Sequence, residues 1–327
     1  MRILLLGFGS WGMALALHIH RNGHRVAAWM RDADKCARIK KHGVSEEYLP
    51  GVRIGEIELC SRLEAVAPAD VVIFAAGSKA TRALAEMYRP FWKPEQILVS
   101  ASKGLEPGTN KRLSQVVLDV LPEGRVVAIS GPCHAEELVG GAASAYVAAS
   151  DEAAAAEAVQ DLMMSKSFRV YTNPDIIGVE LGGALKNCIA ISVGICDGMG
   201  HGDNARAALI TRGIAEISRL GVAMGARPET FSGLTGIGDL VVTCTSSHSR
   251  NRRAGYLLGQ GLTLREVQDE IRMIVEGVNT AAPALTFAKQ LNVHIPIITE
   301  LNQILYEGKD PKTSVKDLME RDKRAEH

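Results

Sequence analysis

A lysine lies within a stretch of sequence that is otherwise almost entirely apolar. Lys186 occurs in Glu-Leu-Gly-Gly-Ala-Leu-Lys-Asn-Cys, inside an apolar segment over 175–196 that predicts a buried helix. An unpaired buried ammonium group is costly, so this lysine needs an acidic partner, a ligand or a lowered pKa. Lys186 is therefore a candidate general acid or base. A side chain that extends from a core helix to solvent is an equally good interpretation of the spacing alone.

A cluster of basic and polar residues precedes another helical segment. Residues 249–253 read Ser-Arg-Asn-Arg-Arg, and such donors at the start of a helix suit a phosphate group. A solvated charged face is the more common meaning of a charge run, and it remains open here. Upstream, a glycine-rich loop over 233–238 ends at Asp239, which either orients Lys186 or binds a substrate hydroxyl group.

Glycines are spaced for a nucleotide near the start of the chain. Gly7, Gly9 and Gly12 form G-F-G-S-W-G, directly after a predicted strand and at the start of a predicted helix. In that context the glycines permit a tight turn, a close approach of the pyrophosphate to the backbone, and close packing of helix on strand. A second segment, over 130–135, follows another predicted strand and is placed at the edge of the sheet where ligands bind.

The end of the second predicted strand bears on cofactor choice. An NAD-selective site normally places a carboxylate at the ribose 2′-hydroxyl group. Here Arg31 adjoins that position and can pair with a 2′-phosphate, although Asp32 and Asp34 are close in the sequence. A surface role for Arg31 is the alternative.

The elements that position these residues alternate in the first half of the chain and become helical in the second. Apolar runs predict strands at Ile3–Leu6, Val26–Trp29, Val71–Ala75, Ile97–Ser100, Val126–Ile129 and Phe168–Tyr171. Helices are predicted at Trp11–Asn22, Asp32–His42, Asp175–Cys196, Asn204–Met224, Val278–Gln290 and Ile297–Tyr306. The pattern predicts an α/β fold, with a Rossmann-type parallel sheet domain over 1–172 and an all-helical substrate domain over 173–327.

Composition excludes several classes of protein. Lys and Arg total 37, as do Asp and Glu, so no net charge favours nucleic acid or an anionic membrane. We expect no apolar run of the roughly 20 residues that span a bilayer. The six cysteines include no Cys-x-x-Cys pair, so a structural zinc site is not expected. Reduced thiols and a cytoplasmic location are the expectation.

Eight segments, in order along nearly the whole chain, resemble one family, the bacterial NAD(P)-dependent glycerol-3-phosphate dehydrogenases. The matching segments lie at 7–12, 102–106, 130–136, 179–187, 202–213, 233–246, 249–253 and 275–280. The family's usual G-P-S-F-A reads G-P-C-H-A here, with Cys133 and His134 in place of serine and phenylalanine. Neither replacement removes Lys186 or the basic cluster, so we expect activity to survive. Because a thiol is a weaker donor than a hydroxyl group, we expect an altered substrate affinity.

The resemblance implies interconversion of dihydroxyacetone phosphate and sn-glycerol 3-phosphate with NADPH or NADH and no metal, supplying glycerol 3-phosphate for phospholipid synthesis. It implies Lys186 as the catalytic acid or base. The implied cofactor-binding residues are Gly7, Gly9, Ser10, Trp11, Gly12, Arg31, Lys103, Ala135, Arg250 and Glu276. The implied substrate-binding residues are Lys103, Gly131, Cys133, Lys186, Asp239, Ser249, Arg250 and Asn251.

Two other functions remain open at this point. A hydroxyacid or sugar-acid dehydrogenase would share the two-domain plan but would recognise a carboxylate. A catalytically silent dinucleotide sensor would keep the glycine turn without any need for Lys186. Whether the chain forms a homodimer is also open. We expect Lys186→Met to keep the fold, because methionine preserves the apolar stem.

Overall fold

The structure is a computed structural model that describes residues 1–67, 69–323 and 325. The chain divides into two compact units, unit 1 (Met1–Glu180) and unit 2 (Leu181–His327). The sequence places a division at 172/173, just after the last predicted strand, and that boundary stays a prediction.

Unit 1 is built on one sheet with helices on its faces. Its strands are β1 (Arg2–Leu6), β2 (Arg25–Trp29), β3 (Glu58–Cys60), β4 (Val71–Phe74), β5 (Ile97–Ser100), β6 (Arg125–Ser130), β7 (Ser144–Ala149) and β8 (Phe168–Asn173). Its helices are α1 (Ser10–Arg21), α2 (Ala33–His42), α3 (Thr81–Tyr88), α4 (Leu113–Val120), α5 (Ala135–Gly140) and α6 (Ala153–Met163). The predicted α/β fold is confirmed.

The order of the strands creates a position where ligands bind in such sheets. The order is β3-β2-β1-β4-β5-β6-β7-β8, so the chain passes outward from β1 to β3 and then returns to place β4 on the other side of β1. The carboxyl ends of β1 and β4 meet at this reversal: a Cβ atom added to Gly7 would lie 2.8 Å from the carbonyl oxygen of Ala75. Ligands of open α/β sheets bind beside such a reversal.

The sheet departs from the predicted arrangement at β7. This strand pairs antiparallel with β6, whereas the other neighbouring strands in the described sheet are parallel. Its sequence, Ser-Ala-Tyr-Val-Ala-Ala, contains three alanines, which favour helix intrinsically, so the sequence predicted no strand here. The short edge strand β3 was missed as well.

Unit 2 is helical, as predicted. Helix α7 (Ile176–Gly198) begins in unit 1 and runs into unit 2, which continues with α8 (Asp203–Ala223), α9 (Pro228–Phe231), α10 (Asp239–Thr245), α11 (Arg250–Gly259), α12 (Leu264–Ile271), α13 (Glu276–Gln290), α14 (Pro296–Tyr306) and α15 (Pro311–Met319). The predicted glycine-rich loop over 233–238 is wrong, because Leu234–Gly238 forms a π-helical turn that leads directly into α10.

Helix α7 is a core helix. Within the described residues it is long and apolar enough to cross a membrane, contrary to the expectation from sequence, but 89% of its most apolar window is buried inside the protein. Every residue from 178 to 191 is buried. A helix that is apolar on all sides and covered by protein is typical of the core of a large domain.

Helices α7 and α11 meet backbone to backbone. A Cβ atom added to Gly194 of α7 would lie 2.1 Å from the carbonyl oxygen of Arg252, and one added to Gly255 of α11 would lie 1.9 Å from that of Ile191. Neither position has room for a side chain. The glycines therefore set the separation of the two helices.

A buried carboxylate holds the start of α14. Glu216 of α8 is 1% exposed, and its carboxylate oxygens accept hydrogen bonds from the backbone N–H groups of Ile297 at 2.8 Å and Ile298 at 3.2 Å. Burial raises the pKa of Glu216 to about 7, although the two backbone donors oppose that rise.

Candidate active site

The glycine turn connects β1 to α1 and fits a dinucleotide. Gly7 has a φ of +112°, which favours glycine. A Cβ atom on Gly12 would lie 2.1 Å from the carbonyl oxygen of Gly7, whereas one on Gly9 would have nothing within 4 Å. Close packing at Gly12 and open space at Gly9 are the conditions that a bound pyrophosphate requires.

The first turn of α1 suits a negative ligand. Gly9 occupies the N-cap position and supplies no side-chain cap, and the turn reads Ser-Trp-Gly-Met, so its side chains bring no negative charge. The N–H groups at a helix start are unpaired within the helix, and the helix dipole is positive there. Ser10 and Trp11 lie in this turn, as the predicted cofactor site requires.

Two further predicted residues of unit 1, Lys103 and Gly131, lie close to Trp11. The indole nitrogen of Trp11 donates to the carbonyl oxygen of Ala101 at 3.1 Å, two residues before Lys103. The Lys103 ammonium donates to the carbonyl oxygen of Gly131 at 2.9 Å. Loops after β5 and β6 thus converge beside the turn after β1.

The residues after Gly131 are placed by the start of α5. Ala135 is the first residue of this helix and is 8% exposed. Cys133 is half-buried, with its thiol 3.8 Å from the carbonyl oxygen of His134. His134 occupies the N-cap position without a side-chain cap.

Arg31 lies in the short connection between β2 and α2 and is exposed. The neighbouring Asp32 is the N-cap of α2, and its carboxylate accepts from the backbone N–H of Lys35 at 2.8 Å. That hydrogen bond lowers the pKa of Asp32. The Asp32 carboxylate caps α2. Of Arg31 and Asp32, Arg31 is therefore the better candidate for pairing with a ribose 2′-phosphate.

In unit 2, Lys186 is buried with a carboxylate partner. Lys186 is 5% exposed and Asp239 is 1% exposed. The Lys186 ammonium donates to a carboxylate oxygen of Asp239 and, at 2.6 Å, to the hydroxyl oxygen of Thr243. Two roles were left open for Asp239, and this contact agrees with the first of them, which is to orient the lysine.

Thr243 belongs to this group but was absent from the prediction. It lies one turn after Asp239 on the same face of α10, and its hydroxyl donates to the Asp239 carbonyl oxygen at 2.6 Å. The spacing Asp-x-x-x-Thr in a helix was the signal that would have found it, but no helix was predicted after the glycine-rich segment that ends at Asp239.

The residues of the basic cluster differ in their partners. Ser249 is the N-cap of α11, and its hydroxyl oxygen accepts from the backbone N–H of Arg252 at 3.2 Å. Two cluster arginines pair with carboxylates: Arg252 with Asp197 at 2.7 Å, and Arg253 with Glu270 at 3.0 Å. Arg250 is exposed, and its guanidinium donates to a backbone carbonyl oxygen, that of Ile274, at 3.2 Å.

The amide of Asn251 connects three helices. Its nitrogen donates to the side-chain oxygen of Asn187 at 2.9 Å, and its oxygen accepts from the N–H of Gly277 at 2.9 Å. Asn187 follows Lys186 in α7, and Gly277 follows Glu276, the first residue of α13. The start of α11 is thereby fixed relative to Lys186, and one N–H of the amide remains for a ligand.

The described residues include no group of three or more His, Cys, Asp or Glu side chains that could hold a metal ion. All six cysteines are free thiols.

Comparison with known proteins identifies the family. Residues 2–156 match the model of the NAD-dependent glycerol-3-phosphate dehydrogenase N-terminus, and residues 175–316 match that of its C-terminus. The chain is 51% identical over 99% of its length to a glycerol-3-phosphate dehydrogenase [NAD(P)+] of Geobacillus kaustophilus, covering 96% of that protein. A counterpart of the same name in Bacillus subtilis is 48% identical over 98% of this chain, with 95% of that protein covered.

A solved structure agrees over both units. The glycerol-3-phosphate dehydrogenase of Coxiella burnetii is 36% identical, with a TM-score of 0.94 over 98% of this chain and 99% of that one. The chain belongs to the NAD-dependent glycerol-3-phosphate dehydrogenase family.

Proposed function

We propose that this protein is an NAD(P)-dependent glycerol-3-phosphate dehydrogenase, which interconverts dihydroxyacetone phosphate and sn-glycerol 3-phosphate. The observation that carries the proposal is the buried Lys186–Asp239 pair in a member of this family. A buried ion pair is not in itself a source of stability, and a lysine beside a carboxylate is suited to moving a proton. Its relatives are named for the same activity.

Lys186 would handle the proton of the reaction. In the direction of reduction, the bound nicotinamide supplies a hydride to C2 of the substrate. The Lys186 ammonium would donate a hydrogen bond to the carbonyl oxygen, stabilise the negative charge that develops there and transfer its proton to it. Oxidation reverses these steps, with the neutral amine accepting the hydroxyl proton.

Asp239 and Thr243 would prepare the lysine for this role. The Asp239 carboxylate directs the ammonium, while the Thr243 hydroxyl oxygen accepts a hydrogen bond from it as well. The lysine is therefore oriented before the substrate arrives.

The start of α11 would bind the phosphate. Arg250 supplies a planar pair of donors, and the positive end of the α11 dipole adds a partial positive charge. Ser249 and Asn251 would add a hydroxyl and an amide donor. Binding energy from this remote group would orient the reacting carbon, and Lys103 and the segment 131–133 would complete the substrate contacts.

Arg31 supports a preference for NADPH over NADH with use of both. The carboxylate expected in an NAD-selective site is represented here by Asp32, which serves as the cap of α2.

A cytoplasmic location and a role in supplying glycerol 3-phosphate for phospholipid synthesis complete the proposal. The free thiols support the cytoplasmic location. The biosynthetic role is supported by the product itself, because fatty acids can be esterified to the hydroxyl groups of glycerol 3-phosphate.

The test is the oxidation of each reduced nucleotide by dihydroxyacetone phosphate, followed by absorbance. We expect turnover with both nucleotides and a lower KM for NADPH. A panel of 2-keto acids and sugar acids distinguishes the hydroxyacid dehydrogenases: faster turnover of a carboxylate substrate would overturn the proposal. Nucleotide binding without turnover of any substrate would instead favour the sensor.

A further inference from the structure

Tyr146 occupies a central place beneath the predicted ligand contacts of unit 1. It lies in β7 and is 0% exposed. Its ring centroid is 5.7 Å from that of Trp11 and 5.7 Å from that of Phe168, with tilted planes in both pairs. Tilted aromatic pairs at this separation are favourable beyond the apolar area they bury.

The Tyr146 ring also faces the ammonium group of Lys103. The Lys103 nitrogen lies 5.5 Å from the ring centroid, within the range where the negative face of an aromatic ring attracts a cation. The same nitrogen donates to the carbonyl oxygen of Gly131. Both contacts are with uncharged groups, and together they direct the ammonium.

The backbone at Gly131 rests against the same ring. A Cβ atom added to Gly131 would lie 2.8 Å from Cδ2 of Tyr146, and the φ of this glycine is +144°. The ring edge therefore limits where the backbone at Gly131 lies. That backbone carries the carbonyl oxygen that accepts from Lys103.

We propose that Tyr146 is a positioning residue that fixes Trp11, Lys103 and Gly131 through its aromatic ring. The proposal rests on the proposed function, which assigns those three residues to nucleotide and substrate. The contacts described above all involve the ring carbons or the ring face. The proposal therefore assigns the positioning to the ring.

The first test compares Tyr146→Phe with Tyr146→Met. Methionine fills a similar volume without a ring, so we expect it to raise the Kd for NADPH and the KM for dihydroxyacetone phosphate by roughly 2- to 30-fold each. We expect kcat to change less, because Lys186 belongs to unit 2. Tyr146→Phe keeps the ring and is expected to bind both ligands as the wild type does.

Phe168→Leu is the matched control for stability. Phe168 is also 0% exposed, and its ring contacts those of Tyr146 and His18, so its loss opens a cavity in the same cluster while leaving the Tyr146 ring in place. We expect a lower melting temperature with near-normal Kd and KM. If Phe168→Leu weakens binding as much as Tyr146→Met at equal loss of stability, Tyr146 is only a core residue.

If Tyr146→Met fails to fold, a second variant tests the proposal, in which the ring keeps its shape but has the opposite charge distribution. Pentafluorophenylalanine at position 146 preserves the packing and removes the attraction for the Lys103 cation, so nucleotide affinity should fall. Unchanged affinity in that protein, or equal losses in Tyr146→Phe and Tyr146→Met, would overturn the proposal. NADPH binding is measured without turnover, so these results stand apart from any failure of the wild type to reduce dihydroxyacetone phosphate.

Discussion

Replacing Lys186 by methionine separates the chemical role of this lysine from its structural one. The variant loses the only group we assign to the proton transfer, and general acid–base catalysis contributes about 10²- to 10⁴-fold. We therefore expect kcat for dihydroxyacetone phosphate to fall by at least about 100-fold. NADPH should bind with normal affinity, because the glycine turn belongs to unit 1.

The structure changes the expected effect of this variant on stability. Sequence alone suggested that Lys186→Met would be tolerated, but Asp239 is 1% exposed and pairs directly with the lysine. Removing one partner of a buried ion pair leaves an uncompensated charge, which costs about 3–5 kcal/mol. Lys186→Met should thus lower the free energy of unfolding by about that amount.

A double variant distinguishes the two losses. Lys186→Met with Asp239→Leu removes both charges, and replacing a buried pair by apolar residues is often neutral or stabilising. We expect urea unfolding to show recovered stability while kcat stays low. Near-normal kcat in stable Lys186→Met would leave the proton donor unidentified. A double variant no more stable than Lys186→Met would show that the pair is not a coupled buried ion pair.

Three further substitutions test other parts of the structure. Arg31→Ala should weaken NADPH by about 1.5–3 kcal/mol, roughly 10- to 150-fold, and NADH much less; equal losses in titrations would refute the 2′-phosphate contact. Arg250→Lys keeps the charge but loses the planar pair of donors, so the KM for dihydroxyacetone phosphate should rise roughly 10-fold or more. Unphosphorylated dihydroxyacetone should be a very poor substrate for both enzymes, and equal efficiency with the phosphate would argue against phosphate anchoring. For Glu216, a folded pKa of about 7 against an ordinary 4.5 means that the free energy of unfolding falls as pH rises between those values, by about 3 kcal/mol. Glu216→Gln should flatten that slope in urea unfolding, and an unchanged slope would assign it to other groups.

The parts of the fold that were predictable are those in which local pattern and tertiary environment agree. Strands covered on both faces are almost continuously apolar, so β1, β4 and β5 were evident. Gly43 after α2 adopts the left-handed conformation expected of a helix stop. Strand β7 was not predictable in this way, because its alanines favour helix and only its neighbours make it a strand.

The site was predictable in its residue types but not in its pairings. Lys186 was evident because a charge in an apolar helix demands compensation. The choice of Asp239 as its partner depends on how α10 packs against α7, at a separation of 53 residues. Likewise, nothing local in the sequence indicates that Arg252 pairs with the buried carboxylate of Asp197, 55 residues earlier in the chain.

The glycine contact between α7 and α11 constrains how enzymes of this family can be recombined. The contact is made by main-chain atoms of both helices, so a compensating change of side chain on one helix cannot make room for a larger residue on the other. A chimera that takes α11 from a relative with a bulkier residue at Gly255 would need the matching α7 from the same parent. Crossover points for directed evolution should therefore be chosen so that residues 191–198 and residues 252–259 come from the same parent.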